Sequence, residues 1–181
     1  MCGQGEAETA MSARAWAPIF MAALFWGLGA AQGAAAADRQ TPSGLPVPRY
    51  VALKFDEVNA RAGPGDDHRL LWVYRVKGLP VQVVAENTEW RRICDPERGL
   101  AWVHRRTTDG RRMVMRTQGA PLPLRSAAKP DAPVHAILNA RSLAALVRCD
   151  SKAWCKLRVD GVSGWAQASD LWGTDDKPQC R

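Results

Sequence analysis

The sequence repeats itself. Moving 64 residues on from Arg61 and Trp90 lands on Arg125 and Trp154, and the same shift pairs Val73 with Ile137, Leu79 with Leu143, Val83 with Val147 and Ile93 with Leu157. A shift of 63 then pairs Trp102 with Trp165 and Gly110 with Gly173. Two tryptophans and several apolar positions held at one spacing describe two copies of one small module, and a repeat of this kind constrains the fold before any local propensity does.

Each copy consists of short strand-like runs between turn signals. In the first these are "YVALKF", "LLWVYRV", "LPVQVVAE", "EWRRIC" and "LAWVH"; in the second, "PVHAIL", "LAALVRC", "AWCKLRV" and "GWAQ" keep the order. No run sustains a 3.6-residue period with caps, so helices beyond a short turn are not expected. Many short strands with closely spaced turns predict an all-β chain of two tandem small β-barrels. The expected limits are 50–117 and 118–173, with "RRMVMRT" as a last strand of the first copy. Residues 38–49 form an extended, poorly ordered lead-in, and residues 174–181 a C-terminal tail.

The N-terminal stretch carries a different signal. One arginine, Arg14, precedes an uncharged run from Ala15 to Ala37 that closes on an Ala-x-Ala site. This is the pattern of a cleaved secretory signal peptide over 1–37, with Met11 as an alternative start. Its strongly apolar part, Trp16 to Ala31, is shorter than the ~20 residues a spanning helix needs. The expectation is therefore a periplasmic or secreted protein without a membrane span. Past residue 37 the chain keeps 24 basic and 16 acidic residues, a net of +8. Outside the cytoplasm that charge points away from nucleic acid and toward anionic wall polymer, lipid head groups or an acidic protein.

Cys94, Cys149, Cys155 and Cys180 follow the cleavage site, an even number suited to an oxidising compartment. Three pairings are open in principle. The repeat favours Cys149 with Cys155, because it aligns them with Ala85 and Arg91, on either side of the turn "ENTE". Residues flanking a tight hairpin turn face each other at close to disulfide distance. On this reading the first copy closes its hairpin by packing alone. A bond between Cys94 and Cys180 would require the tail to fold back onto the first barrel.

Catalytic and metal chemistry find little support. The glycine-rich stretch "RAGPGDDH" lacks the Gly-Lys-Ser/Thr and following helix of a phosphate-binding loop, and Asp66 and Asp67 repel phosphate. Cys94 and His104 carry no nucleophile signature. His68, His104 and His135 are scattered without metal-ligand spacing. The acidic pairs Asp66-Asp67 and Asp175-Asp176 sit in turn or tail contexts. No catalytic residue, metal or cofactor is expected.

The motifs "VNARAGPG", "WRRI" and "GLAWV", and in the second copy "PLRSAA", "CDSKAWCKL", "GVSGWA" and "DLWG", resemble the bacterial SH3-like domains of exported proteins. The likeness runs from about Ser43 to Gly173. With the lead-in "SGLPVPRYVALKFDEV" it is similar to a subfamily of signal-bearing proteins built of two such modules. The resemblance implies a non-enzymatic binding module for peptidoglycan or an envelope peptide. Its alternative is a structural or regulatory protein that docks a periplasmic partner. It also implies that the segment after Arg61 is the long loop flanking the barrel's ligand groove.

Strand alternation puts Trp90 opposite Ile93 and Trp154 opposite Leu157. With Ile93 and Leu157 in the core, Trp90 and Trp154 face outward and become the first candidates for ligand contact, against the alternative that each caps its barrel under a loop. Trp102 and Trp165 are candidates to flank the same groove. Tyrosine-lined recognition of proline-rich peptides fits poorly, since Tyr50 and Tyr74 are the only tyrosines.

Overall fold

The computed structural model describes residues 41–180 apart from Lys152. The expected signal peptide and the first residues of the lead-in lie outside the described residues. Ala37–Arg181 forms one compact unit. Two all-β barrels follow one another within it.

In the first barrel the strands are β1 (Arg49–Leu53), β2 (Val58–Arg61), β3 (Leu70–Tyr74), β4 (Pro80–Glu86), β5 (Trp90–Cys94), β6 (Leu100–His104) and β7 (Thr108–Asp109). They form a sheet in the order β3-β2-β6-β5-β4-β1-β7. The second barrel holds β8 (Met113–Met115), β9 (Leu122–Arg125), β10 (Val134–Leu138), β11 (Leu143–Cys149), β12 (Trp154–Val159) and β13 (Val162–Gln167), ordered β10-β9-β13-β12-β11-β8. A single 3-10 turn follows the sixth strand of the first barrel, Arg105–Thr107, and another follows β13, Ala168–Asp170. Alternation drives the cores. Val81, Val83, Ile93, Ala101 and Val103 point into the first barrel, and Leu124, Leu138, Leu157 and Ala166 into the second.

Strand pairing corrects the module boundary. Met113–Met115 is not the last strand of the first copy: it pairs with β11, as β1 pairs with β4. Met115 and Trp172 exchange both backbone hydrogen bonds, 3.0 and 2.9 Å, the counterpart of the β1–β7 pairing. The second barrel therefore begins at β8, before residue 118.

The repeat also slips at a point that its spacing does not reveal. Val83 faces Ile93, but the residue facing Leu157 is Leu146, and Val147 is half exposed. The turn before β11 is one residue shorter than the turn before β4. In those turns Gly78 and Arg141 do the same work: both have left-handed backbones (φ 82° and 64°), and their amides donate to Leu53 O and Arg116 O at 2.8 and 2.7 Å. Arginine in that conformation is less favourable than glycine. The hairpin after β11 then gains a residue: Asn87 N–H bonds Trp90 O, whereas Asp150 N–H bonds Trp154 O. Both hairpins carry a bulge at the same place, Val84 and Val147.

This register puts Cys149 opposite Cys155, and the two are bonded, with Cα atoms 3.9 Å apart. The equivalent pair in the first barrel is Glu86 and Arg91, not Ala85 and Arg91. That hairpin is not closed by packing alone. The Glu86 carboxylate, its side chain almost fully buried, meets Arg49 at 2.5 Å and Arg91 at 3.4 Å, and accepts from the Ser43 hydroxyl. Burial opposes its ionisation, but hydrogen bonds from Arg49, Ser43 and Thr41 outweigh burial and hold the carboxyl at about 2. The same contacts anchor residues 41–48, with Val47 against the first core, in place of a poorly ordered lead-in.

The tail returns to the first barrel. Trp172 lies in the first core with Met115, edge-on to Tyr50 at 5.8 Å, and its indole N–H donates to Pro80 O at 3.0 Å. Gln82, fully buried on the outer side of β4, donates to Lys177 O and accepts from Gln179 N–H, both at 2.8 Å. Cys180 is bonded to Cys94, which lies opposite Gln82.

Two expectations follow. The Cys94–Cys180 bond spans 86 residues and the Cys149–Cys155 bond 6. Loop-closure entropy makes the first worth ~4–5 kcal/mol and the second ~2 kcal/mol. Denaturant unfolding of Cys94→Ser/Cys180→Ser and Cys149→Ser/Cys155→Ser proteins should rank in that order, and the reverse order would refute the weight given to the tail. For Glu86, the folded carboxyl titrates below the ordinary value of 4.5, so its contribution is full above that pH and disappears as pH falls toward about 2. Glu86→Gln should lose ~2 kcal/mol near neutral pH. The gap from the parent should close across that acid window in unfolding curves; a pH-independent gap would contradict the assignment.

Candidate ligand clefts

The loop after β2 is built by its arginine. Arg61 Nη1 donates to His68 O at 2.9 Å and Nη2 meets Asp66 at 3.3 Å. The second barrel repeats the device across the same seven-residue interval, with Arg125 Nη1 on Ala132 O at 2.8 Å. The His68 ring lies over Gly63 so closely that a Cβ there would sit 2.5 Å from it. The Gly65 and His68 amides donate to carbonyls of the same loop, at 3.1 and 3.3 Å. The glycine-rich stretch is thus a turn between two strands, without the following helix whose N-terminus a phosphate would use.

That loop overhangs a cleft of about 550 Å³ whose floor is Trp90. Pro64, Gly65 and Asp66 form one wall, Asn87, Thr88 and Glu89 the other, and His104 closes the end. The turn is shaped by Asn87 Oδ1, which accepts from the amides of Glu89 and Trp90 at 3.0 and 2.7 Å. Trp90 does lie opposite Ile93, but the loop and turn close over it and only 7% of its surface is exposed. Its ring stands edge-on to His104 at 5.3 Å. The outward-facing ring expected from alternation is therefore corrected to a mostly covered one.

The second barrel has the equivalent cleft, about 250 Å³, lined by Trp154 with Pro123, Arg125, Pro130, Gln167 and Asp170. Here Asp150 Oδ1 accepts from the Trp154 amide at 2.8 Å. Trp154 is only half buried, so it offers more ring than Trp90. Asp170 is paired with the buried Arg116 at 3.0 Å, which fixes the far wall.

Trp102 and Trp165 do not line these clefts. Both sit mid-sheet on the outer face, Trp102 between Arg61 and Arg92, and Trp165 between Arg125 and Lys156.

Sequence reasoning passed over a cleft of about 570 Å³ at the junction of the barrels. Trp72, Tyr74, Val76 and Leu79 supply its first side, and Met115 and Arg141 its second. Trp72 and Tyr74 meet edge to face at 6.0 Å. The Tyr74 hydroxyl donates to Asp95 Oδ2 at 2.8 Å, while Asp95 Oδ1 takes the amides of Glu97 and Gly99. Burial, and then the neighbouring Asp95 charge, push the Tyr74 phenol far up, so it stays a neutral donor. The signal for this pair was Trp72-x-Tyr74, two aromatics one strand period apart. Nothing local in the sequence showed that the second barrel would stand against them.

Among the described residues no cluster of three or more His, Cys, Asp or Glu side chains could hold a metal ion. Cys94, buried and disulfide-bonded, offers no thiol.

Comparison with known proteins bears on this geometry. NlpC1 from Trichomonas vaginalis is 10% identical over 68% of this chain and 45% of its own, with a TM-score of 0.31. NlpC2 from the same organism is 10% identical over 69% of this chain and 48% of its own, with a TM-score of 0.32. The chain thus spans less than half the length of either structure. No curated protein matches it. The family model described as the bacterial SH3 domain matches twice, over residues 54–110 and 118–173, one match on each barrel. The chain belongs to the bacterial SH3 domain family and carries two copies of the domain in tandem.

Proposed function

We propose that the protein is an exported, non-enzymatic binding module that recognises peptidoglycan or a cell-envelope peptide through its two SH3-like clefts. The observation that carries this reading is the repetition of the site. A tryptophan opens the fifth strand of each barrel, a side chain acceptor in the turn holds its amide, and an arginine-anchored loop walls the cleft above it. Two like clefts on one chain suit a repeating polymer, because a second engagement becomes intramolecular. Two disulfides support an oxidising, extracytoplasmic setting. No helix among the described residues is long and apolar enough to cross a membrane.

A second reading, docking of an envelope protein partner, is favoured by the junction cleft, where the half-buried Trp72 offers aromatic surface of the kind protein interfaces use.

Co-sedimentation with purified sacculi separates the two. Trp154→Ala should weaken retention roughly thirtyfold, the ~2 kcal/mol of a recognition tryptophan, with a smaller loss of stability than Trp90→Ala because its ring is less buried. Trp90→Ala should unfold more readily than it loses affinity. No retention of the parent protein, together with a partner co-purified from envelope extract and lost on Trp72→Ala, would replace the first reading with the second.

A further inference from the structure

The outer face of the second barrel holds a row of side chains that the clefts do not use. Register places Val134, Arg125, Trp165, Lys156 and Arg148 opposite one another across β10, β9, β13, β12 and β11. Directly opposed residues share a face. That face is the outer one, because Gly164 and Ala166 on either side of Trp165 are buried. Arg158 shares it two residues from Lys156, and Ile137 lies on it opposite Pro123.

Three properties of this face belong together. It is cationic: none of β9 to β13 contains an aspartate or glutamate, and Arg148, Lys156 and Arg158 form no ion pair among the described residues. It has an aromatic centre, with the Arg148 guanidinium 5.2 Å from the Trp165 ring centroid. It ends in aliphatic side chains held in water, Val134 at 50% and Ile137 at 62% exposed.

We infer that this face docks the protein, peripherally, on an anionic phospholipid surface. Cations near such a surface are attracted to the headgroup charge. Tryptophan and the weakly hydrated arginine suit the interfacial layer. The aliphatic end decides between a bilayer and a soluble polyanion: Val134 and Ile137 gain from entering the headgroup–acyl boundary and gain nothing from a dissolved, charged chain. The first barrel supplies an internal contrast. Its equivalent row is Leu70, Arg61, Trp102, Arg92 and Ala85, but Arg61 is tied to Asp66 and alanine stands where the second barrel has Arg148. The charge left for a membrane is therefore concentrated on the second barrel.

Flotation of the Ala37–Arg181 unit with vesicles tests this, using phosphatidylcholine with phosphatidylglycerol against phosphatidylcholine alone. The protein should float with the anionic vesicles only. Arg148→Gln with Lys156→Gln should lower the partition coefficient roughly thirtyfold, two charges' worth, while Arg148→Lys with Lys156→Arg retains binding and Arg92→Gln has a smaller effect. Val134→Ser with Ile137→Ser should weaken flotation but leave binding to dextran sulfate unchanged. Melting temperatures of the variants check that each is folded. Equal binding to both vesicles, no binding to either, indifference to the Arg148/Lys156 pair, or flotation unaffected by the Val134/Ile137 pair would each overturn the inference.

Discussion

The indole of Trp172 ties the structure together. It leaves the second barrel, enters the core of the first, and donates to Pro80 O beside Tyr50. Burying a ring of that size contributes about 5 kcal/mol before entropy is counted. It also satisfies a carbonyl that would otherwise be left in an apolar core. Met115, bridged to Trp172 through the backbone, enters the same core, so the first barrel is completed by two residues that its own repeat unit does not contain. The residues beyond Trp172 continue the closure. Gln82 would be a buried amide without partners if Lys177 and Gln179 did not cover it, and the Cys94–Cys180 bond fastens the tail beside it.

This closure makes the tandem more than two beads on a string. The turn that bears Arg141 and the loop that bears Glu97 come from different barrels, yet the two side chains form an ion pair at the junction. The pair is solvent-exposed and contributes little by itself. The packing that brings the loops together also creates the cleft beneath Trp72 and Tyr74.

Much of this was legible in the sequence because a repeat reports on burial twice. Ile93 and Leu157 are both core, and Trp90 and Trp154 both open a strand under a loop, so the all-β tandem fold and the cleft tryptophans could be read from spacing and alternation. What failed were matters of one residue or of distant partners. A deletion before β11 and an insertion after it cancel, so spacing alone aligned Val83 with Val147 and Cys149 with Ala85 and missed the shifted strand between. Met113–Met115 resembled the end of one copy because strand propensity does not say which sheet a strand will join. Alternation alone turns Trp90 outward, because it ignores a loop arriving from 25 residues earlier. Glu86 was invisible as a structural ion because its partners, Arg49 and Ser43, lie in a segment whose composition reads as a loose lead-in.

If Trp172 and the tail weld the barrels into one body, that body has one folding transition. Differential scanning calorimetry of the oxidised Ala37–Arg181 unit measures this directly. The account predicts a single endotherm whose calorimetric and van't Hoff enthalpies agree. Two resolved transitions, or a calorimetric enthalpy about twice the van't Hoff value, would mean that each barrel folds for itself and that Trp172 is only a contact between them.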